Sequence, residues 1–396
     1  MEPFLEKPFS DCLPEIADLL KGIGFHGFSI ESLQHGPVFQ NCVYALGSED
    51  GQEQYVLRVP VKPKFRESDQ ICEAILNEVS LLGYLMDNLS VPTPRVKAYS
   101  ATTGNALQAP FSIQTRLPGK SLDKEYASLS QTNKLVVADQ VIEMLGKLES
   151  VRFDIAGNFA GSSALPHSNN SFCAADSSPP MVNMFNEGDE DFAKDPKCLQ
   201  DRAGPDVKAL LISQLSGLLA KELKSNTLHR VVLVPLLRRL VAMMEGLYPS
   251  GSQGEGPYPI ILFHWDLEPR NIMVRQSGDT WQICGIVDWD DAMAVPRPLA
   301  RRPLAWIWSV GTGVRTGFLD DDTHPKANLS EDNTALKAHF DDKAAVALPS
   351  YTDDTYGQGR WLRRIWTFLK YGVHSQWHCD QMEEMLKEWD TRPRPA

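Results

Sequence analysis

The sequence predicts an α+β protein, and three observations carry that prediction. Residues 28 to 60 read as three strands with turns between them. Residues 73 to 88, and long runs after residue 131, repeat apolar side chains at spacings of three and four, as amphipathic helices do. One hairpin-like stretch, 263 to 290, interrupts the helical part. Strands are read mostly early in the chain and helices mostly later.

Composition sets the outer limits. The chain has 396 residues, enough for one large two-lobed domain or two ordinary ones. Hydrophobic residues make up 42% and charged residues 23%, as in globular proteins of ordinary composition. A formal net charge of -12 argues against nucleic acid or an anionic membrane as the main partner. The segment MEPFLEKPFSDCLPEIADLL lacks a basic region followed by an unbroken apolar run, so no secretory signal is expected. PIILF and VVLVPLL are too short to span a bilayer. The seven cysteines are an odd number, scattered and without a CxxC pair, which suits a reducing compartment; a cytoplasmic location is the expectation.

Taken in order, Pro14 to Leu20 reads as a short helix. The first turn of the strand region holds His35, Gly36 and Pro37, and the second is the hairpin cluster Ser48 to Gly51. The third strand, YVLRVP, carries a single charge, Arg58. The helix from Glu73 to Asn88 places Ile75, Val79, Leu82 and Leu85 on one side, carries Glu78, and stops before Pro92 and Pro94. Pro110 to Leu122 reads as a strand ending in a Pro-Gly turn, and Gln131 to Glu149 as an amphipathic helix. Residues 161 to 200 read as a mobile insertion, rich in Ser, Asn and Pro and then acidic at Glu187 to Asp191. Helices are expected from Val207 and from Val231 to Leu247, the second broken or kinked at Pro235, with Gly251 to Pro259 as a linker. A helical stretch from Pro303 to Val310 would bury Trp306 and Trp308. FLDDDTHPKANLSEDN reads as a polar acidic loop, and the C-terminal segment as one or two helices.

The chemistry concentrates in FHWDLEPRNIMVRQSGDTWQICGIVDWD, Phe263 to Asp290. Asp266 and Asn271 are close enough to share one short loop. IMV then reads as a strand, Gly278 and Asp279 as a turn, and WQICGIVDW as the returning strand, which brings Asp288 back beside Asn271. The result is one carboxylate free to take a proton and an Asn–Asp pair able to hold Mg²⁺. Phosphoryl transfer from ATP needs that arrangement, because catalysis there is mostly positioning and charge neutralisation.

HxDxxxxN followed by an apolar strand and an Asp resembles the kinase catalytic loop and its metal-binding Asp. The sequence IVDWD narrows the resemblance to the aminoglycoside phosphotransferase and choline kinase family, spanning roughly residues 28 to 310. The resemblance implies a bilobal, protein-kinase-like fold: a small antiparallel-sheet N-lobe over 1–115 and a larger, mostly helical C-lobe over 116–396, with ATP between them. It makes Asp266 the catalytic base and Asn271 and Asp288 the magnesium ligands. It places Arg58 at the phosphates, where relatives keep Lys, with Glu78 as its partner. The backbone of Gln114 to Arg116 would meet the adenine edge, and His264 would hold the loop from below.

The acceptor implied is a small molecule bearing a hydroxyl, and a cationic one would suit Asp290 and Asp291 beside the metal Asp. The acidic runs at Glu187 to Asp191, Asp320 to Asp322 and Asp353 to Asp354 read as solvated loop faces. Two departures stand out: Trp265 between His264 and Asp266, and Arg58 itself. They keep an alternative open, a kinase-fold binding protein without catalysis.

Overall fold

The structure, a computed structural model, describes residues 7–36, 40–61, 68–160, 181–184, 207–225, 229–247, 258–309 and 329–392. The expected insertion at 161–200 (apart from 181–184), the acidic runs Glu187 to Asp191 and Asp320 to Asp322, and Pro37 of the first turn lie outside the described residues. The chain sorts into two compact units. The first draws on Met1–Ser128, Asn158–Asn183 and His264–Met293, and the second on Leu129–Gly157, Met184–Phe263 and Ala294–Ala396.

The first unit is built on a five-stranded antiparallel sheet. Its strands are β1 (Phe28–Gln34), β2 (Asn41–Ser48), β3 (Gln54–Pro60), β4 (Val96–Ser100) and β5 (Phe111–Thr115), in the order β1-β2-β3-β5-β4. Helix α1 (Phe9–Gly22) packs Cys12, Ile16, Leu19 and Leu20 into a core with Tyr44, Leu57, Val59, Phe111 and Ile113. It is a full turn longer at its start than the sequence reading allowed, and carries Pro14 inside it. Pro14 removes one N–H from the ladder, and burial of the apolar face offsets that loss. Helix α2 (Ser68–Asn88) packs Ile75 and Val79 against Tyr99 of β4.

A second, three-stranded sheet in this unit carries the motif. β6 (Lys120–Ser121), β7 (Ile272–Ser277) and β8 (Thr280–Ile286) pair antiparallel with β7 in the centre. Two glycines permit it. At Gly119 (φ +93°) a Cβ would lie 2.2 Å from the Val274 carbonyl oxygen, and at Gly285 (φ +146°) 2.3 Å from that of Pro92. No side chain fits either approach.

The second unit is mainly helical: α3 (Gln131–Ser150), α4 (Val207–Lys224), α5 (His229–Leu247), α6 (Glu331–Ala347), α7 (Gln358–Tyr371) and α8 (Gln376–Thr391). Within it α3 packs on α6, α4 on α5 and α7, and α5 on α8. Ser130, Ser330 and Ser375 cap three of these helices by accepting the N–H of Asn133, Asn333 and His378. α5 runs through Pro235 as one helix, so of the expected break or kink there is no break. The acidic stretch read as a loop ends in SEDN, which is a helix start: Ser330 caps α6, with Glu331 and Asp332 in its first turn. The helix expected at 303–310 is a single 3₁₀ turn, Ala305–Ile307, with Trp306 and Trp308 buried. Asp354, read as part of a solvated run, is also buried, between Arg297 (2.7 Å) and Arg301 (2.9 Å). Arg301 in turn holds Glu149 through two 2.7 Å hydrogen bonds.

Candidate active site

The loop between His264 and Ile272 is held by its own backbone. Glu268 N–H donates to the Asp266 carbonyl at 2.8 Å, and Asn271 N–H to the Glu268 carbonyl at 2.9 Å. A 3₁₀ turn, Pro269–Asn271, then delivers the chain into β7. Ser121 of β6 donates its hydroxyl to the Arg270 carbonyl at 2.7 Å, tying the turn to the sheet. Below the loop, buried His264 donates from Nε2 to the Val287 carbonyl at 3.0 Å and meets Trp289 edge-on, ring centroids 4.8 Å apart. Trp289 donates its indole N–H to the Ile286 carbonyl at 3.1 Å.

Asn271 is buried, and its orientation is forced. Its Nδ2 lies 2.9 Å from both the carbonyl and the Oδ2 of Asp266, two groups that only accept. The Oδ1 atom is thus the end left over from these bonds, and it is an oxygen donor of the kind a hard cation takes. Asp266 also receives Arg270 Nη2, at 2.5 Å to Oδ1 and 2.7 Å to Oδ2. Val287 N–H donates to the Asn271 carbonyl at 2.9 Å, so the end of the returning strand is pinned beside the loop. Asp288 follows in the left-handed region (φ +67°), a conformation that Asp tolerates better than most residues.

Asp288 belongs to a charge cluster centred on Arg58. Arg58 Nη1 donates to Glu78, and Nη2 donates to Asp288 Oδ1 at 2.8 Å and to Asp290 Oδ2 at 2.9 Å. Glu78 also accepts from Gln114 Nε2 at 3.0 Å, and Asp290 from Asn41 Nδ2 at 2.8 Å. Arg58, Glu78 and Gln114 are buried, while Asp288 and Asp290 remain partly exposed. One guanidinium among three carboxylates leaves the cluster formally two charges negative.

The titration of these groups follows from their burial and from the charges around them. Burial pushes the Glu78 carboxyl up, against the pull of Arg58 and with the charge of Asp290 adding to the push. Asp288 is raised by burial too, which Arg58 offsets only in part while the charges of Asp290 and Asp266 add to it. Asp290 moves the other way: burial opposes it, but Arg58 and the Asn41 amide hold it below the usual carboxylate range. A divalent cation beside Asn271 and Asp288 would neutralise the excess, so the donor set fits Mg²⁺.

The structure thus brings together Asp266, Asn271 and His264 in one loop, and Arg58, Glu78, Asp288, Asp290 and Gln114 in one cluster. Gln114 joins the cluster through its side chain. The N–H groups of Thr115 and Arg116 donate inside the unit, to the carbonyls of Arg95 (2.8 Å) and Gln54 (3.0 Å). The Arg116 side chain is exposed, as is Asp291. Trp265 is partly exposed, and Gly36 (φ +113°) donates its N–H to Cys42 Sγ at 3.4 Å. Sequence reasoning missed Arg270, Asn41 and the Gln114 side chain. The spacing of Asp266 and Arg270, four residues apart, was the one available clue; Asn41 reaches Asp290 across 249 positions and left none.

Asp266 and Asn271 bonded in one loop, and the buried Arg58–Glu78 pair, are the groups the sequence resemblance singled out. The chain belongs to the phosphotransferase enzyme family, whose family model, APH, matches residues 33–297. The fold agrees. A putative aminoglycoside phosphotransferase from Ralstonia eutropha superposes with a TM-score of 0.51 at 14% identity, over 95% of this chain and 97% of that one.

Similar fungal proteins include several that carry the name altered inheritance of mitochondria protein 9, mitochondrial. The Clavispora lusitaniae protein is 32% identical over 148 residues, 36% of this chain and 23% of the relative. The Debaryomyces hansenii protein is 22% identical over 293 residues, 63% of this chain and 45% of the relative. The matches span less than half the length of these relatives. Their mitochondrial names contradict the cytoplasmic location expected from cysteine usage and the N-terminal sequence. Scattered free thiols, which the described Cys12, Cys42, Cys72, Cys284 and Cys379 are, do not distinguish one reducing compartment from another. Among the described residues no helix is long and apolar enough to cross a membrane.

Proposed function

We propose that this protein is an ATP- and Mg²⁺-dependent kinase that transfers the γ-phosphoryl group to a hydroxyl of a small molecule. The observation that carries the reading is the coupling of base and metal ligands by one hairpin: Asn271 bonds to Asp266 through its side chain and to Val287, next to Asp288, through its backbone. Asp266 orients the acceptor hydroxyl and takes its proton as the bond to phosphorus forms. Asn271 Oδ1 and the Asp288 carboxylate hold Mg²⁺, which when bound neutralises charge on the phosphates. Arg58, kept in place by Glu78 and Gln114, supplies N–H donors to phosphate oxygens. His264 acts from below, fixing the backbone of Val287. Two protein oxygens suffice for such a site, since Mg²⁺ keeps waters and substrate oxygens as its other ligands.

The test is turnover of ATP with a panel of hydroxylated small molecules, amino alcohols and aminoglycosides included, followed by mass spectrometry for the gain of one phosphate. Replacing Asp266 by Asn is expected to lower kcat by roughly a hundred- to ten-thousandfold with ATP binding nearly intact. Equal turnover in the variant contradicts the role of Asp266.

One observation favours a second reading. Asp266 and Asp288 each already hold an arginine, which is how a kinase fold without catalysis would keep its carboxylates neutral. Absence of any nucleotide binding would select that reading. For location, the relatives' names support a mitochondrial protein; a fluorescent fusion expressed in a fungal cell tests it, and exclusion from mitochondria contradicts it.

A further inference from the structure

We infer that Asp290 is a positioning residue for Arg58, and that the two form a unit which lets an arginine serve as the phosphate-contacting cation. The inference rests on the ATP-site reading above and adds a specific division of labour. Arg58 presents a planar fork. Nη1 faces Glu78, and Nη2 divides its two N–H groups between Asp288 and Asp290. Of those two, the N–H on Asp288 is the one a phosphate oxygen can take, because Asp288 is also the carboxylate assigned to the metal. The N–H on Asp290 remains, so the fork stays in its plane while its other partner is exchanged.

Asp290 is suited to that task on three counts. It sits two residues beyond Asp288 on the same short segment, so it moves with the metal ligand. Asn41 donates to the same oxygen that Arg58 uses, Oδ2, which fixes the carboxylate from the far side. Asn41 opens β2, so the bond also ties that strand's start to Asp290. Burial of Arg58 makes the geometry matter, since a guanidinium with an unmatched prong is costly where water cannot replace the partner. A lysine would need none of this. Its donors radiate from one nitrogen on a flexible stem, and a single partner such as Glu78 can hold it.

A double-mutant cycle tests the inference: wild type, Asp290→Asn, Arg58→Lys and the double variant. Two quantities are read, the Kd for ATP·Mg²⁺ by calorimetry and the melting temperature of the ligand-free protein. Asp290→Asn should weaken ATP·Mg²⁺ binding about tenfold when Arg58 is intact but by less than about twofold in the Arg58→Lys background, and the melting temperatures should be non-additive in the same sense. With an acceptor in hand, the KM for ATP rises and the KM for the acceptor does not. Asn41→Ala, a milder change that leaves every charge in place, should weaken ATP·Mg²⁺ in the same direction by a smaller factor. Equal effects of Asp290→Asn in both backgrounds overturn the inference, as does a rise confined to the acceptor KM, which would put Asp290 at the acceptor instead. If wild type binds no ATP·Mg²⁺, the kinase reading fails and takes the inference with it; if wild type binds and the cycle shows no coupling, the inference alone fails.

Discussion

Asn271 donates its side-chain amide twice to Asp266, once to the backbone carbonyl and once to Oδ2, both at 2.9 Å. The group assigned to metal therefore also aims the group assigned to the proton. The two functions separate under substitution. Asn271→Asp keeps an oxygen for Mg²⁺ but cannot donate to Asp266, and it sets a second negative charge beside it. The expected result is ATP·Mg²⁺ affinity within a few-fold of wild type and kcat lower by roughly a hundredfold or more. Calorimetry and steady-state rates on the same preparation check both halves.

Gly285 is where the hairpin meets Pro92. A methyl group there would sit at a positive φ, 2.3 Å from the backbone carbonyl oxygen of Pro92 and 2.7 Å from Leu117 Cδ1. Gly285→Ala is expected to destabilise the protein by more than about 2 kcal/mol in urea unfolding. Gly278→Ala, at φ +60° with open space around it, is the control and should cost about 1 kcal/mol.

The buried ionic chain of the second unit makes a different prediction. Asp354 is 1% exposed and lies between Arg297 and Arg301, the latter 5% exposed. Removing the carboxylate leaves buried cations short of charge, so Asp354→Ala should cost about 3–5 kcal/mol. A loss below about 1 kcal/mol in chemical denaturation would show that the arginines find other partners.

Asp139 links α3 to α6, accepting from His339 Nε2 at 2.7 Å and Lys343 at 2.6 Å. Burial opposes its ionisation, but those two hydrogen bonds hold its carboxyl below the ordinary value. A depressed folded value means stability that is present above the unfolded carboxylate range and lost as pH falls through the folded one. The melting-temperature gap between wild type and Asp139→Asn should thus be full at about pH 6, begin to narrow near the ordinary carboxylate value of about 4, and close at lower pH. A gap that widens on acidification contradicts the assignment.

The hairpin and its loop were legible because their signals are local. Turn residues at Gly278 and Asp279, β-branched strands on either side and a fixed Asp266–Asn271 spacing all lie within one short stretch. The three strands from Phe28 to Pro60 were legible for the same reason. What escaped depends on distant partners. The sequence VKAYS becomes β4 only because β5 is there to pair with it. Helix α6 has little apolar periodicity beyond Leu336, Phe340 and Ala344, and its start signal, Ser330 ahead of Glu331 and Asp332, lay inside a run that looked like acidic loop. The charge of Asp354 spoke for the surface until Arg297 and Arg301 were placed around it. In the site, Asp266, Asn271 and Asp288 were named from spacing, but Asn41 and the Gln114 side chain required the sheet to be built first.

The central claim is that Asn271 and Asp288 hold a nucleotide-bound Mg²⁺, and the most direct measurement is the thermal shift of the purified chain with ATP, with and without Mg²⁺. Ligand that binds only the folded state stabilises it by mass action, by about 2.7 kcal/mol at roughly a hundredfold excess over Kd. The account predicts a rise in melting temperature with ATP that requires Mg²⁺ and disappears in Asp288→Ala. An equal rise with or without Mg²⁺, or one that survives Asp288→Ala unchanged, would contradict it.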